Sequence, residues 1–137
     1  MKKILCLFLM MITLSFTACS ASWTDKDKEI KSSASVEITC YDINGNVTEV
    51  RTLSDEREVN NICHTFSLLA VKRTRAKEAA SKSFHIRFLD DGGNEIESIT
   101  LFHGSNRIES NGKSFKITDE SDINRHIEEI LNTQNPS

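Results

Sequence analysis

The chain has little proline, little glycine and no strong excess of charge. Of its 137 residues, one is proline (Pro136) and five are glycine. Because these residues interrupt helices and strands, their scarcity favours regular secondary structure over most of the chain. The 17 Lys and Arg residues against 20 Asp and Glu residues give a net charge of −3. Such an ordinary surface charge gives no reason to expect a nucleic-acid partner.

Motifs that organise common active sites are also missing from the sequence. There is no Gly-x-Ser-x-Gly nucleophile turn and no phosphate-binding glycine loop. The cysteines do not form a Cys-x-x-Cys pair, and no two histidines have the His-x-x-x-His spacing. The four histidines are His64, His85, His103 and His126. We therefore predict no metal site, no cofactor and no enzymatic activity.

The first nineteen residues have the parts of an export signal in the usual order. Met1–Lys3 is cationic, Ile4–Phe16 is an almost unbroken apolar run, and small residues precede Cys19. The apolar run is too short for a stable transmembrane helix. The residues Phe-Thr-Ala-Cys at 16–19 resemble the lipobox of bacterial lipoprotein precursors. The resemblance implies cleavage after residue 18, lipid on Cys19, and attachment of the exported protein to the cell membrane or the outer membrane.

The remaining chain is expected to form one domain on a tether. We predict a signal peptide over 1–18, the lipidated cysteine and a flexible polar tether over 19–33, a single domain over 34–132 and a disordered tail over 133–137. The length of the mature chain suffices for one hydrophobic core. Without the signal, 15 basic and 20 acidic residues remain, a formal charge of −5.

Residue alternation predicts an α+β domain. Val36, Ile38 and Cys40 alternate with polar residues as in a half-buried strand, and an Asn-Gly turn at 44–45 leads into a partner strand over 47–53. Ser54 is the expected N-cap of a helix with apolar residues at helical spacing over 59–70. Later apolar residues indicate strands around 84–89, 99–101, 107–110 and 115–117 and a final helix over 123–131.

The two halves of the domain resemble each other. Residues 36–46 align with 84–94 at an offset of 48, and residues 53–60 align with 117–124 at an offset of 64. The alignment is consistent with duplication and with convergence of helix starts. The resulting expectation is an antiparallel sheet of about five strands, in the order ββα–βββα, with two helices packed on one face.

Two thiols stay in the mature chain besides the lipidated cysteine. Cys40 and Cys63 are both predicted to face inward from neighbouring elements. An even pair of cysteines in an exported protein is compatible with a disulfide. Two buried free thiols, acting as small apolar groups, are the alternative.

A basic segment and one sheet face are the candidate contact surfaces. Five cations against one acid give the segment a local charge of +4: Lys72, Arg73, Arg75, Lys77 and Lys82. It suits an envelope protein or an anionic polymer or lipid head group, and equally suits a solvated helix end. The polar side of the sheet, around Tyr41, His85 and Phe102, is the second surface.

These features favour a non-enzymatic binding or accessory module of the cell envelope, resembling small exported lipoproteins of uncharacterised function. One alternative is an inhibitor or immunity lipoprotein that blocks a protein partner. The other is a small envelope metal-binding protein or hydrolase that uses His85 and His103.

Overall fold

The computed structural model describes residues 30–75, 80–118 and 122–133. Over these residues the strands are β1 (Ser35–Tyr41), β2 (Val47–Leu53), β3 (Val71–Thr74), β4 (Ser83–Leu89), β5 (Glu95–Phe102), β6 (Arg107–Ser110) and β7 (Lys113–Ile117), and the helices are α1 (Glu56–Ser67) and α2 (Ile123–Thr133). The strands form one sheet in the order β2-β1-β4-β5-β6-β7-β3. Every neighbouring pair is antiparallel. Neither of the described helices has the length and apolarity needed to cross a bilayer.

The expected number and order of strands was wrong. The described residues contain seven strands in the chain order ββαβββββα, instead of about five in the order ββα–βββα. The clearest omission is β3, because Val71 is its single apolar residue and is only half-buried. An edge strand needs little burial, so it leaves no alternating pattern to read. The broader class, α+β with an antiparallel sheet, is the one observed.

One side of the sheet carries the core. Ile38, Ile86 and Ile99 lie directly opposite one another on the three adjacent strands β1, β4 and β5, and all are buried. The apolar faces of both helices belong to the same buried cluster; they include Phe66 of α1 and Ile127 of α2. The helices therefore cover this side, and the other side of the sheet is left without a helix among the described residues.

Helix α1 begins one residue later than expected. Asp55, not Ser54, is the N-cap, with extended backbone dihedrals, and its side chain accepts hydrogen bonds from the amides of Arg57 and Glu58. A carboxylate at this position also interacts favourably with the helix dipole.

The hairpins β1–β2 and β4–β5 repeat each other in detail. Asp42 accepts the amides of residues 44 and 46 at 2.9 Å, and Asp90 accepts those of residues 92 and 94 at the same distance. Gly45 and Gly93 occupy the left-handed region at φ 81° and 78°. Each hairpin also has a register shift at the equivalent place, between residues 40 and 41 and between 88 and 89. The predicted offset of 48 therefore describes a structural repeat in this block.

Pairing between the repeated hairpins makes the centre of the sheet pseudo-symmetric. Ile38 and Ile86 occupy the same position in the repeat and face each other across β1 and β4. Antiparallel pairing of equivalent residues places a local twofold axis between them, perpendicular to the sheet. The axis also relates β2 to β5: β2 is the outer neighbour of β1, and β5 is the outer neighbour of β4.

The chain before β1 packs on the domain. Ile30 is fully buried, and the Ser33 hydroxyl donates to the Ile30 carbonyl at 2.6 Å. The Ala34 amide donates to the Leu89 carbonyl at 2.8 Å. Ile30 and Ser33 belong to the predicted tether, with the predicted domain starting at residue 34. Since they are part of the packed structure, the domain extends back at least to Ile30.

The first repeated turn predicts a pH dependence. Hydrogen bonds from the amides of Asn46 and Asn44 lower the pKa of Asp42 in the folded protein. A lowered folded pKa means that the stabilisation is complete above the unfolded pKa, about 3.9, and is lost as the pH falls through the folded value. NMR titration should show an Asp42 midpoint below that of an ordinary aspartate. In acid unfolding, the stability difference between wild type and Asp42→Asn should shrink through this range; a constant difference would contradict the assignment.

Candidate functional site

The side of the sheet away from the helices, here called the open face, carries three parallel rows of side chains. Strand alternation places there the residues predicted for it, Tyr41, His85 and Phe102. These side chains are half-buried, since neighbours within the sheet shield them but no described helix covers them. The open face is therefore a described surface on which several elements bring polar and aromatic groups together.

The first row is an ion-pair network. Arg87 of β4 bonds to Glu37 of β1 and to Glu95 of β5, each at 3.1 Å. Hydrogen bonds to Glu95 and then to Glu37 raise the pKa of the Arg87 guanidinium. With both carboxylates engaged by one arginine, this row carries a net negative charge and ties three strands together.

The middle row is polar and lies between two shallow grooves. His85 Nδ1 lies 3.4 Å from Thr100 Oγ1, and Glu109 of β6 lies opposite Thr100. One groove, of about 570 Å³, has Tyr41 and Phe102 in its wall; the other, of about 270 Å³, includes Glu109. Both grooves share His85 and Thr100. The row thus offers hydrogen-bonding groups beside an aromatic wall.

The third row changes from aromatic to cationic as it crosses the sheet. Tyr41 lies opposite Ser83, which lies opposite Phe102. The last β5–β6 pair is Leu101↔Ile108, and Phe102 and Arg107 are the next residues of these two strands beyond it. The row then continues through neighbouring strands to Lys116 and Lys72. We call Arg107, Lys116 and Lys72 the cationic row.

Like charges face each other in the cationic row. Lys116 of β7 lies directly opposite Arg107 on one side and Lys72 on the other. Directly opposed like charges in an antiparallel sheet are destabilising, by roughly 0.2–1 kcal/mol per pair. Lys72 and Lys116 are both exposed. This arrangement works against the stability of the sheet and suits an anion that lies across the three strands.

The structure separates the basic segment that the sequence grouped together. Lys72 lies on the open face, but Arg73 faces the other side, opposite Phe115. Lys82 precedes β4, which is four strands away from β3 in the sheet, about 19 Å at the usual strand spacing. Arg75 follows β3, and Lys77 lies outside the described residues. Of the five predicted cations, only Lys72 therefore belongs to the cationic row.

Sequence reasoning missed Lys116 and Arg107. They lie 44 and 35 residues beyond Lys72, and only the strand order β6-β7-β3 brings the three together. The sequence holds one signal for them: both sit at alternating positions next to apolar residues, which marks them as outward-facing. Without the edge strand β3, that signal could not be connected to Lys72.

Cys40 and Cys63 are both buried free thiols in the structure. Burial raises the pKa of the Cys40 thiol, and Glu49 raises it further. Burial also raises the pKa of the Cys63 thiol, although a hydrogen bond with Ser33 opposes this. A thiol with a raised pKa is a poor nucleophile at neutral pH. Neither cysteine therefore has the environment of a reactive group.

The two histidines considered for metal binding lie on opposite sides of the sheet. His85 is on the open face, whereas His103 turns towards α2 and contacts Glu128 at 3.1 Å. His103 also packs edge-on against Phe84, a buried residue of the helix-covered side. Among the described residues, no three histidine, cysteine or acidic side chains come together as metal ligands do. Lipidation of Cys19 falls outside the described residues.

Comparison of the chain with protein-family models, with curated proteins and with solved structures finds no match.

Proposed function

We propose that the mature protein is a lipid-anchored binding module of the bacterial envelope that holds an anionic partner on the open face of its sheet. The cationic row is the observation that carries this proposal. Lys116 between Arg107 and Lys72 opposes folding, so its presence favours a role in binding. The lipobox-like residues before Cys19 supply the anchor.

The composition of the third row fits one kind of partner. Its cationic part attracts carboxylate, phosphate or sulfate groups, and its neighbour Phe102 offers an apolar contact on the same line. A partner with acidic groups next to an apolar or aromatic group matches both parts. An acidic segment of an envelope protein has this chemistry, and aromatic side chains and arginine are typical of protein interfaces.

The position of Ile30 leaves the open face accessible in an anchored protein. Ile30 belongs to the buried cluster shared with the helices, and Lys31 lines a surface groove beside Cys63 and His64 of α1. The chain therefore reaches the domain on the helix-covered side. A tether that arrives from that side leaves the opposite face free to meet a partner.

Site-specific photo-crosslinking in living cells tests the proposal. A photoreactive phenylalanine replaces Phe102 on the open face or, as the control, the exposed Glu129 on α2. We expect the full-length protein to give a discrete adduct from position 102 and none from position 129. An adduct formed only from position 129, or no adduct from either, would contradict the proposal.

A further inference from the structure

Strand β2 forms one edge of the sheet. Within the described residues it pairs with β1 alone. It is seven residues long, contains no proline, and carries no exposed lysine. Natural edge strands are usually protected by proline, lysine, a bulge, inward-pointing charges, a covering segment or short length, because unpaired backbone groups invite another strand. β2 has a bulge at Thr48, between the pairs Cys40↔Glu49 and Tyr41↔Val47, and the charged residues Glu49 and Arg51 lie on its core side. The regular part of its backbone, from Glu49 to Leu53, has an outer edge on which a further strand can pair.

Exposed apolar residues gather at this edge. Four large apolar side chains are strongly exposed in the described part of the chain, and three belong to the β1–β2 turn or to β2: Ile43, Val47 and Val50. Val50 is 55% exposed and lies on the open face, opposite Thr39. Apolar residues concentrated on one strand indicate a contact surface, in contrast to those scattered singly.

The internal repeat gives a comparison for this edge. In the second hairpin the outer side of β5 is occupied by β6, whereas the outer side of β2 has no described neighbour. The positions equivalent to Ile43, Val47 and Val50 are all polar; they are Asp91, Glu95 and Ser98. The hairpin with the open edge is thus the one with the apolar surface, as expected if another strand covers it in the assembled protein.

The sequence of β2 is complementary to itself. In an antiparallel pair centred on Val50, Val50 meets Val50 of the second copy, and Glu49 meets Arg51 of that copy on both sides of the centre. Glu49 and Arg51 are already close enough in one chain for an ion pair of 2.8 Å. Opposite charges and β-branched pairs at these positions favour antiparallel pairing.

We propose that two copies of this chain pair through β2, edge to edge and antiparallel, with Val50 on the twofold axis. The two sheets then form one continuous sheet, with both open faces on the same side. Both copies of Ile30 lie on the other side, so two anchored chains can adopt this arrangement together. The inference rests on the described strand and does not require the proposed partner of the open face.

Cysteine cross-linking of the full-length protein in the cell envelope tests both the pairing and its register. The Val50→Cys variant places two thiols in directly opposed positions, where Cα atoms are about 4.5–5.5 Å apart, within the range for a disulfide. Thr52→Cys alone places its two thiols about 13 Å apart, too far to react. Ser98→Cys, the repeat-equivalent position, is the control.

The expected result is a covalent dimer on non-reducing gels from Val50→Cys. Thr52→Cys and Ser98→Cys should give no more dimer than the wild type, which retains its native cysteines. Absence of the Val50→Cys dimer, or equal yields from all single variants, would overturn the proposal. Charge reversal extends the test: Glu49→Arg should reduce the Val50→Cys yield, and coexpression with an Arg51→Glu chain should restore it.

Discussion

Replacing Phe66 with alanine should lower the free energy of unfolding by about 3–5 kcal/mol, the usual effect of removing a large aromatic side chain from a core. Phe66 is fully buried on α1, and its ring packs edge-to-face against that of Phe88 on β4, with centroids 5.7 Å apart. The substitution removes both the burial and this ring contact.

Leu68→Ala is the matched control. It lies two residues further along, at the C-cap of α1, and is 64% exposed. A surface substitution of this kind should change stability by less than about 0.5 kcal/mol. Denaturant titration of both variants gives the comparison. Similar small losses for the two would show that α1 does not pack on the sheet as described.

Replacing Cys19 with alanine should release the protein from the membrane. The lipobox-like signal implies acyl chains on this cysteine, and each buried methylene contributes about 0.8 kcal/mol to membrane binding, so two or more chains hold a protein permanently. Without the thiol no lipid can be attached.

Membrane fractionation measures this effect. Wild type should sediment with the membranes and be extracted only by detergent, whereas Cys19→Ala should appear in the soluble exported fraction or as the uncleaved precursor. A conservative Ser20→Ala variant controls for handling of the signal. If Cys19→Ala remained with the membranes as a cleaved protein, the proposed lipid anchor would be wrong.

The elements that the sequence predicted well are those with local signals. The two hairpins follow from strict alternation and from Asp-x-x-Gly-Asn turns, in which Asp42 and Asp90 fix the same loop by the same hydrogen bonds. The helix stripes follow from apolar spacing, because both helices bury one face only. Signals of this kind depend only on residues that are close in sequence, so they can be recognised without knowledge of the whole fold.

The features that the sequence did not predict depend on distant partners. Val71–Thr74 forms a strand because β7 is beside it. Its two β-branched residues, Val71 and Thr74, favour a strand, but they are too few to give an alternating pattern. In the sequence Ile30 is an isolated apolar residue in a polar segment, but in the structure its side chain is buried in the core. The cationic row forms only because three strands are adjacent in the sheet. The predicted basic segment contained cations that are close in sequence, and it missed the cations that strand pairing brings together.

Charge reversal at Lys116 tests the central claim most directly, because folding and binding should respond in opposite directions. Lys116→Glu replaces two opposed like-charge pairs in the cationic row with two attractive ones, so stability should rise by roughly 0.5–1 kcal/mol. Binding of an anionic partner should fall, seen as loss of the photo-adduct from position 102. Lys113→Glu, on the same strand but opposite Ser110, is the control and should change neither strongly. Increased stability with loss of the adduct is the result that this account predicts; an adduct of unchanged yield would show that the cationic row does not bind the partner.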